Sequence, residues 1–122
     1  EPIALLPHHA VPLVEQRQLA SLRDMADASE FAMLMRNGMD AVERTVAEIA
    51  NAAADDAAAI GAAAHRLKGS AGMMGMARLS ALAATLEAAC SNGDAFEDTH
   101  RHLLESLQET RAALLQSGEL AP

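Results

Sequence analysis

Apolar side chains recur along this chain at steps of three and four. The longest run is Phe31, Met35, Met39, Val42, Val46, Ile49 and Ala53, which is one face of a long helix. Ser29 or Asp27 is placed to cap its start. Leu19, Leu22 and Met25 predict a short helix ahead of it, over about 14–25. Asp55 and Asp56 cap the next pattern, which runs from about 56 to 74 and stops at Gly75. Leu79, Leu82, Ala83, Leu86 and Cys90 mark the following helix. Asn92-Gly93-Asp94 reads as a turn ending in a capping residue. A last stripe, Phe96, His100, Leu103, Leu107, Thr110 and Leu114, closes at Ser117-Gly118. Four long amphipathic helices with short connections predict an all-α fold, an antiparallel up-down four-helix bundle with a short extra N-terminal helix. Residues 1–13 carry prolines at 2, 7 and 12, which forbid a regular helix. They read as an interdomain linker before a domain at 14–119.

Composition narrows this further. The chain has 122 residues, one domain's worth. Trp and Tyr are absent and Phe occurs twice, so sheets are disfavoured. Seventeen acidic residues against nine basic ones give a net charge of −8. That balance argues against nucleic acid as a partner, and no basic run suggests a membrane surface. No apolar stretch is long enough to span a bilayer. The lone Cys90 sits in an apolar stripe and reads as a small core residue, which fits a reducing cytoplasm. The start at Glu-Pro, with no Met and no signal layout, reads as a piece cut from a longer chain. His8 and His9 are adjacent and have no third ligand in view, so they read as solvated linker and no metal site is expected.

One stretch, DDAAAIGAAAHRLKGSAGMMG, departs from ordinary helix economy. At about 100° per residue, Ile60, Ala64, Leu67, Ala71 and Met74 share a core face. His65 lies well off that face, with Gly61, Lys68, Gly69 and Gly72 as its neighbours at spacings of three and four. Each glycine costs a helix interior about 1 kcal/mol against alanine, and alanine is plentiful here. Bare backbone beside an imidazole clears an approach for a partner. Lys68 is the only lysine in the chain, and a flexible ammonium can follow an anion that forms on the ring. A neutral exposed histidine has a free ring nitrogen at pH 7. The chemistry suggested is a nucleophilic imidazole accepting an anionic, phosphoryl-type group. From these residues alone the other reading stays open: an ordinary surface histidine among helix defects.

Residues 62–87, AAAHRLKGSAGMMGMARLSALAATLE, resemble the histidine-containing phosphotransfer (HPt) domain of multistep phosphorelays. The likeness is carried by His65, Lys68, Gly69, Ser70, Ala71, Gly75, Leu79, Leu86 and Glu87, and extends over roughly 19–117. It implies a phosphocarrier that is not an enzyme on its own. His65 would take a phosphoryl group from a phospho-aspartate on the receiver domain of a hybrid sensor histidine kinase. It would pass that group to the aspartate of a response regulator. No cofactor is expected in this chain, since Mg²⁺ would be supplied by the receiver. The module would be cytoplasmic, monomeric alone and without direct membrane contact. Gly72 departs from the pattern, where many members carry Ala or Ser. His100 and His102, two apart on one helix, are left as structural or solvated.

Two other classes compete with this reading. The phosphoacceptor and dimerisation helices of a histidine kinase would show an acid after the histidine and a proline soon after. Here Arg66 follows His65, and no proline lies between 13 and 121. A plain helical interaction bundle would carry no phosphochemistry. Phosphate linked to imidazole is acid-labile and would separate the readings.

Glu87 is the last candidate. Taking Gly75 as the pivot of an antiparallel pair, His65 lies ten residues before it and Glu87 twelve after, which is about 15 and 18 Å of helix. The two should be level. A carboxylate accepting from Nδ1–H would orient the ring and leave Nε2 as the nucleophile. The alternative, a solvated surface acid, stays open.

Overall fold

The computed structural model describes residues 7–122, so the part of the expected linker at 1–6 lies outside the described residues. A 3₁₀ turn at Pro7–Ala10 precedes α1 (Gln16–Asp24), α2 (Ala28–Asn51), α3 (Ala57–Met73), α4 (Ala77–Asn92) and α5 (Glu97–Gln116). No strand occurs among the described residues. Helices α2 to α5 form the bundle. α3 packs between α2 and α4, α5 closes against α4 and α2, and α1 rests on α2. Among the described residues no helix is long and apolar enough to cross a membrane.

The boundaries follow from local chemistry. Asp27, not Ser29, caps α2: its side chain accepts from Glu30 N at 2.8 Å, and Glu30 reaches back to Asp27 N at 3.5 Å. That reciprocal pair satisfies two donors a bare helix start leaves unpaired. Asp56 caps α3 through Ala59 N. Between α3 and α4 the chain reverses at Gly75, where φ is +73° and a Cβ would stand 3.1 Å from the Glu15 carbonyl oxygen. Both the conformation and the close approach require glycine there. Glu15 N–H donates to Gly75 O at 2.7 Å, and Gln18 Nε2 donates to Met73 O at 3.0 Å. The start of α1 is thereby tied to the α3–α4 turn.

Two local expectations need correction. Asp94 does not cap α5. That helix starts at Glu97 behind Phe96, with no side-chain cap. Phe96 is instead half-buried, beside Ile49, Ile60 and His100 in a hollow at one end of the bundle, so burial of its ring sets the helix start. The stripe of α5 is also turned: Ser106 is buried where Leu107 is only half-buried. The Ser106 and Thr110 hydroxyls and His100 Nε2 are buried without a hydrogen-bond partner.

The core runs the length of the bundle, from Leu19 and Phe31 through Met39, Leu67, Leu86 and Leu114 to Leu120. Gly38 has a packing reason: a Cβ there would meet Met74 Cε at 2.6 Å. At the C-terminus Glu119 is buried, paired with Arg23 at 3.1 Å and bonded to Ser117 Oγ at 2.6 Å. Interhelical ion pairs Arg66–Glu48 (2.6 Å) and Arg111–Glu43 tie α3 and α5 to α2.

Candidate functional site

Among the described residues α3 and α4 share the most extensive helix–helix contact, and small residues along their seam permit it. A Cβ on Gly61 would lie 3.3 Å from Cys90 Cβ, and one on Gly72 would lie 3.3 Å from Ser80 Oγ. Ser80 Oγ in turn donates to Lys68 O at 2.8 Å, so it cannot swing away without losing that bond. Gly69 is different: nothing stands within 4 Å of the place its Cβ would occupy. Three glycines share a helix flank, but only Gly69 faces open space. Gly61 and Gly72 let two backbones approach.

The close approach places α4 side chains against the flank of α3. Glu87 Oε2 lies 2.7 Å from His65 Nδ1, and Glu87 Oε1 lies 2.8 Å from Lys68 Nζ. One carboxylate thus bridges the imidazole and the ammonium. The His65 side chain is 65% exposed and that of Glu87 29% exposed. The hydrogen bond from Lys68 is the main reason Glu87 titrates below the usual glutamate range. Partial burial opposes it, and the bond and charge of His65 assist. An ionised carboxylate has no proton to give. The proton in the His65–Glu87 bond therefore sits on Nδ1, and in the neutral ring the Nε2 lone pair is left free.

His65 and Glu87 are level and in contact, as the helix spacing predicted, whereas the bond from Lys68 to the same carboxylate was not anticipated. Open grooves lie to either side. One passes Ala57, Gly61, Ala62, His65, Glu87 and Cys90, and the other passes Gln18, Lys68, Gly72, Ser80 and Ala84. Burial pushes the Cys90 thiol up, which leaves it protonated and unreactive at neutral pH. The remaining histidines lie elsewhere: His100 lines the hollow with Phe96, and His102 stacks on His8.

Ser80 escaped the sequence reading. It is five residues after Gly75 and Lys68 is seven before it, so the argument that paired His65 with Glu87 could have paired these two. Arg66 also went unremarked as a structural residue, although its bond to Glu48 anchors the helix beside His65.

A histidine with an outward, unprotonated nitrogen, a carboxylate behind it and an ammonium one turn on can take up and hold an anionic electrophile. Among the described residues no group of three or more His, Cys, Asp or Glu is placed to hold a metal ion. A family model described as "Hpt domain" matches residues 31–117, which takes in the four helices of the bundle except the first turn of α2 and leaves α1 outside. No curated protein matches the chain.

Proposed function

The chain belongs to the Hpt domain family, the histidine phosphocarriers of phosphorelays, and from that premise we propose that His65 is its phosphoacceptor through Nε2. The observation that carries this is the 2.7 Å contact of Nδ1 with Glu87 on a ring whose other side is open to solvent. The Nε2 lone pair attacks the phosphorus of an aspartyl phosphate. A N–P bond forms, the P–O bond to the aspartate breaks, and the carboxylate leaves with its electron pair. The ring becomes a phosphoimidazolium with Nδ1–H still on Glu87, whose negative charge stabilises it. A second aspartate carboxylate then attacks the same phosphorus, and the neutral imidazole departs. No proton need enter or leave in either direction.

Lys68 has a second position to occupy in this scheme. In the resting site its ammonium rests on Glu87 at 2.8 Å. A phosphoryl group arriving one helical turn away offers it three anionic oxygens, and a four-carbon stem allows the swing. Gly69 supplies the clearance for the partner's surface. The partners supported by this chemistry are receiver domains, one in a hybrid kinase and one in a response regulator. Mg²⁺ is assigned to the receiver, because this site has one carboxylate and that carboxylate is already engaged by the Lys68 ammonium and the His65 N–H. The proposed setting is cytoplasmic, with residues 14–119 as the transfer module and the stretch before it as a connection to the rest of a longer protein.

The test is transfer of ³²P from a phosphorylated receiver to the full chain, followed by acid and base treatment. We expect label that is lost in acid, survives base and is absent from His65→Gln. Label that survives acid, or that persists in the variant, overturns the assignment.

A further inference from the structure

Three histidines that the phosphoacceptor chemistry does not use gather at the α4–α5 seam of the bundle. His8 and His9 belong to the 3₁₀ turn Pro7–Ala10. The centroid of the His8 ring is 4.3 Å from that of His9 and 4.6 Å from that of His102 on α5. Arg78 of α4 grips the same stretch by its backbone. Its Nε donates to Val11 O at 2.8 Å and its Nη2 to His9 O at 3.3 Å. Leu82 and Thr85 of α4 and Thr99 of α5 line the hollow beneath the His8 ring. A strap of residues 7–11 thereby crosses from α4 to α5.

Around the His8 ring, His9, His102 and Arg78 act against a proton and Glu105 acts in favour of one. The turn contributes His8 and His9, α4 contributes Arg78, and α5 contributes His102. Glu105 of α5 is the acid that acts on His8 in the opposite sense. The neighbouring Asp98 and Arg101 of α5 are paired with each other at 2.9 Å. Neutral imidazoles can share such a place, since ring against ring is ordinary apolar and π contact. Imidazolium rings at these separations, beside a guanidinium, repel. Among the described residues no group of three or more His, Cys, Asp or Glu is placed here to hold a metal ion.

We propose that residues 7–11 are a proton-released strap: docked across α4 and α5 while His8 is neutral, and detached when His8 takes up a proton. Burial first, then His9, His102 and Arg78, hold His8 below its usual value of 6.5, with Glu105 opposing. A histidine lowered in the docked state binds its proton better when undocked. Docking is therefore strongest above pH 6.5 and weakens as the pH falls below it. One proton taken up on release weakens docking by up to about tenfold per pH unit, and only between the undocked and the docked midpoint of His8. The bundle itself has its own core and does not depend on the strap. The consequence is that the joint between the bundle and whatever precedes it loosens in mild acid, independently of any chemistry at His65.

The experiment is a pH titration of the uniformly ¹⁵N-labelled chain from 8 to 5, following amide shifts and hydrogen exchange at residues 8–13. The Val11 N–H, bonded to His8 O at 3.1 Å, is the direct reporter. Its protection should fall, by up to about tenfold, between pH 7.5 and 5.5, while α2 to α5 keep theirs. His8→Phe keeps a ring in place and removes the proton, so its strap should stay docked at pH 5.5. If His8→Phe does not dock even at pH 7.5, His8→Leu is judged by the same criterion. A wild-type strap as well protected at pH 5.5 as at pH 7.5 overturns the proposal. So does a docking His8 variant that releases with the wild-type midpoint.

Discussion

Replacing Gly69 with alanine should make the protein more stable and a poorer phosphate acceptor. Gly69 lies inside α3, four residues from its end, where alanine is favoured over glycine by about 0.8–1.0 kcal/mol. The added methyl meets nothing within 4 Å, so it neither clashes nor buries surface. The expected gain is the propensity alone, about 1 kcal/mol, or roughly 3–6 °C in Tm for a domain of this size. Gly61→Ala and Gly72→Ala serve as controls. Their methyls would stand 3.3 Å from Cys90 and Ser80, so crowding should cancel much of the same gain. In-line transfer brings phosphorus to about 3–3.5 Å from the attacking nitrogen, and residue 69 is one turn from His65 on the same flank. A Gly69→Gln side chain would stand in the space a docking receiver must enter. We expect its transfer rate to fall by about tenfold or more, with helicity by circular dichroism unchanged and alanine intermediate. The assay is a chemical and thermal melt of each variant, paired with rapid-quench transfer from a phosphorylated receiver. If Gly69→Ala is less stable than wild type, the glycine serves the fold. If Gly69→Gln transfers at the wild-type rate, the clearance argument fails.

Other expectations follow from the same geometry. Glu87→Ala should shift the neutral His65 ring away from the Nδ1–H form in ¹⁵N-resolved ring spectra, and an unchanged tautomer population would refute its positioning role. The carboxyl of Glu87 should titrate below 4.5, so its pairing persists above that value and is lost as acid takes the pH through the lowered midpoint. Since the Lys68 bond is the largest cause, Lys68→Met should move that midpoint back up, and a stationary midpoint would reject the attribution. The same substitution should shorten the lifetime of the phosphohistidine, measured as loss of acid-labile label. Thr110→Val should be neutral or stabilising by about 1 kcal/mol, because a buried hydroxyl without a partner is replaced by a methyl of the same shape. Thr110→Ser, which keeps the hydroxyl and loses a methyl, should be destabilising in the same urea titration.

Much of the molecule could be read from local pattern, because helices report themselves at the range of one or two turns. The stripe from Phe31 to Ile49, the caps at Asp27 and Asp56 and the stop at Gly75 involve residues within four positions of one another. Each of these is an intrahelical hydrogen bond or a shared face. The pairing of His65 with Glu87 was also within reach. A tight turn between antiparallel helices turns sequence distance into height, and 1.5 Å per residue is rigid enough to count on.

Tertiary packing decided what rotation about the helix axes leaves undetermined. From sequence, Gly61, Gly69 and Gly72 were one bare flank, and only the position of α4 separates the two that admit a neighbouring helix from the one that admits solvent. The turn of α5 that buries Ser106 in place of Leu107, and the start of α5 behind Phe96, answer to the shape of the cavity left by α2, α3 and α4. His8 and His102 are far apart in the chain, and no periodicity connects a proline-rich stretch to the middle of a distant helix. Local propensity acts through bonds between near neighbours, so it writes the elements and the height of each residue. Which side chains meet across elements is set by close packing of the whole core, and that is where the strap and the open face of Gly69 were decided.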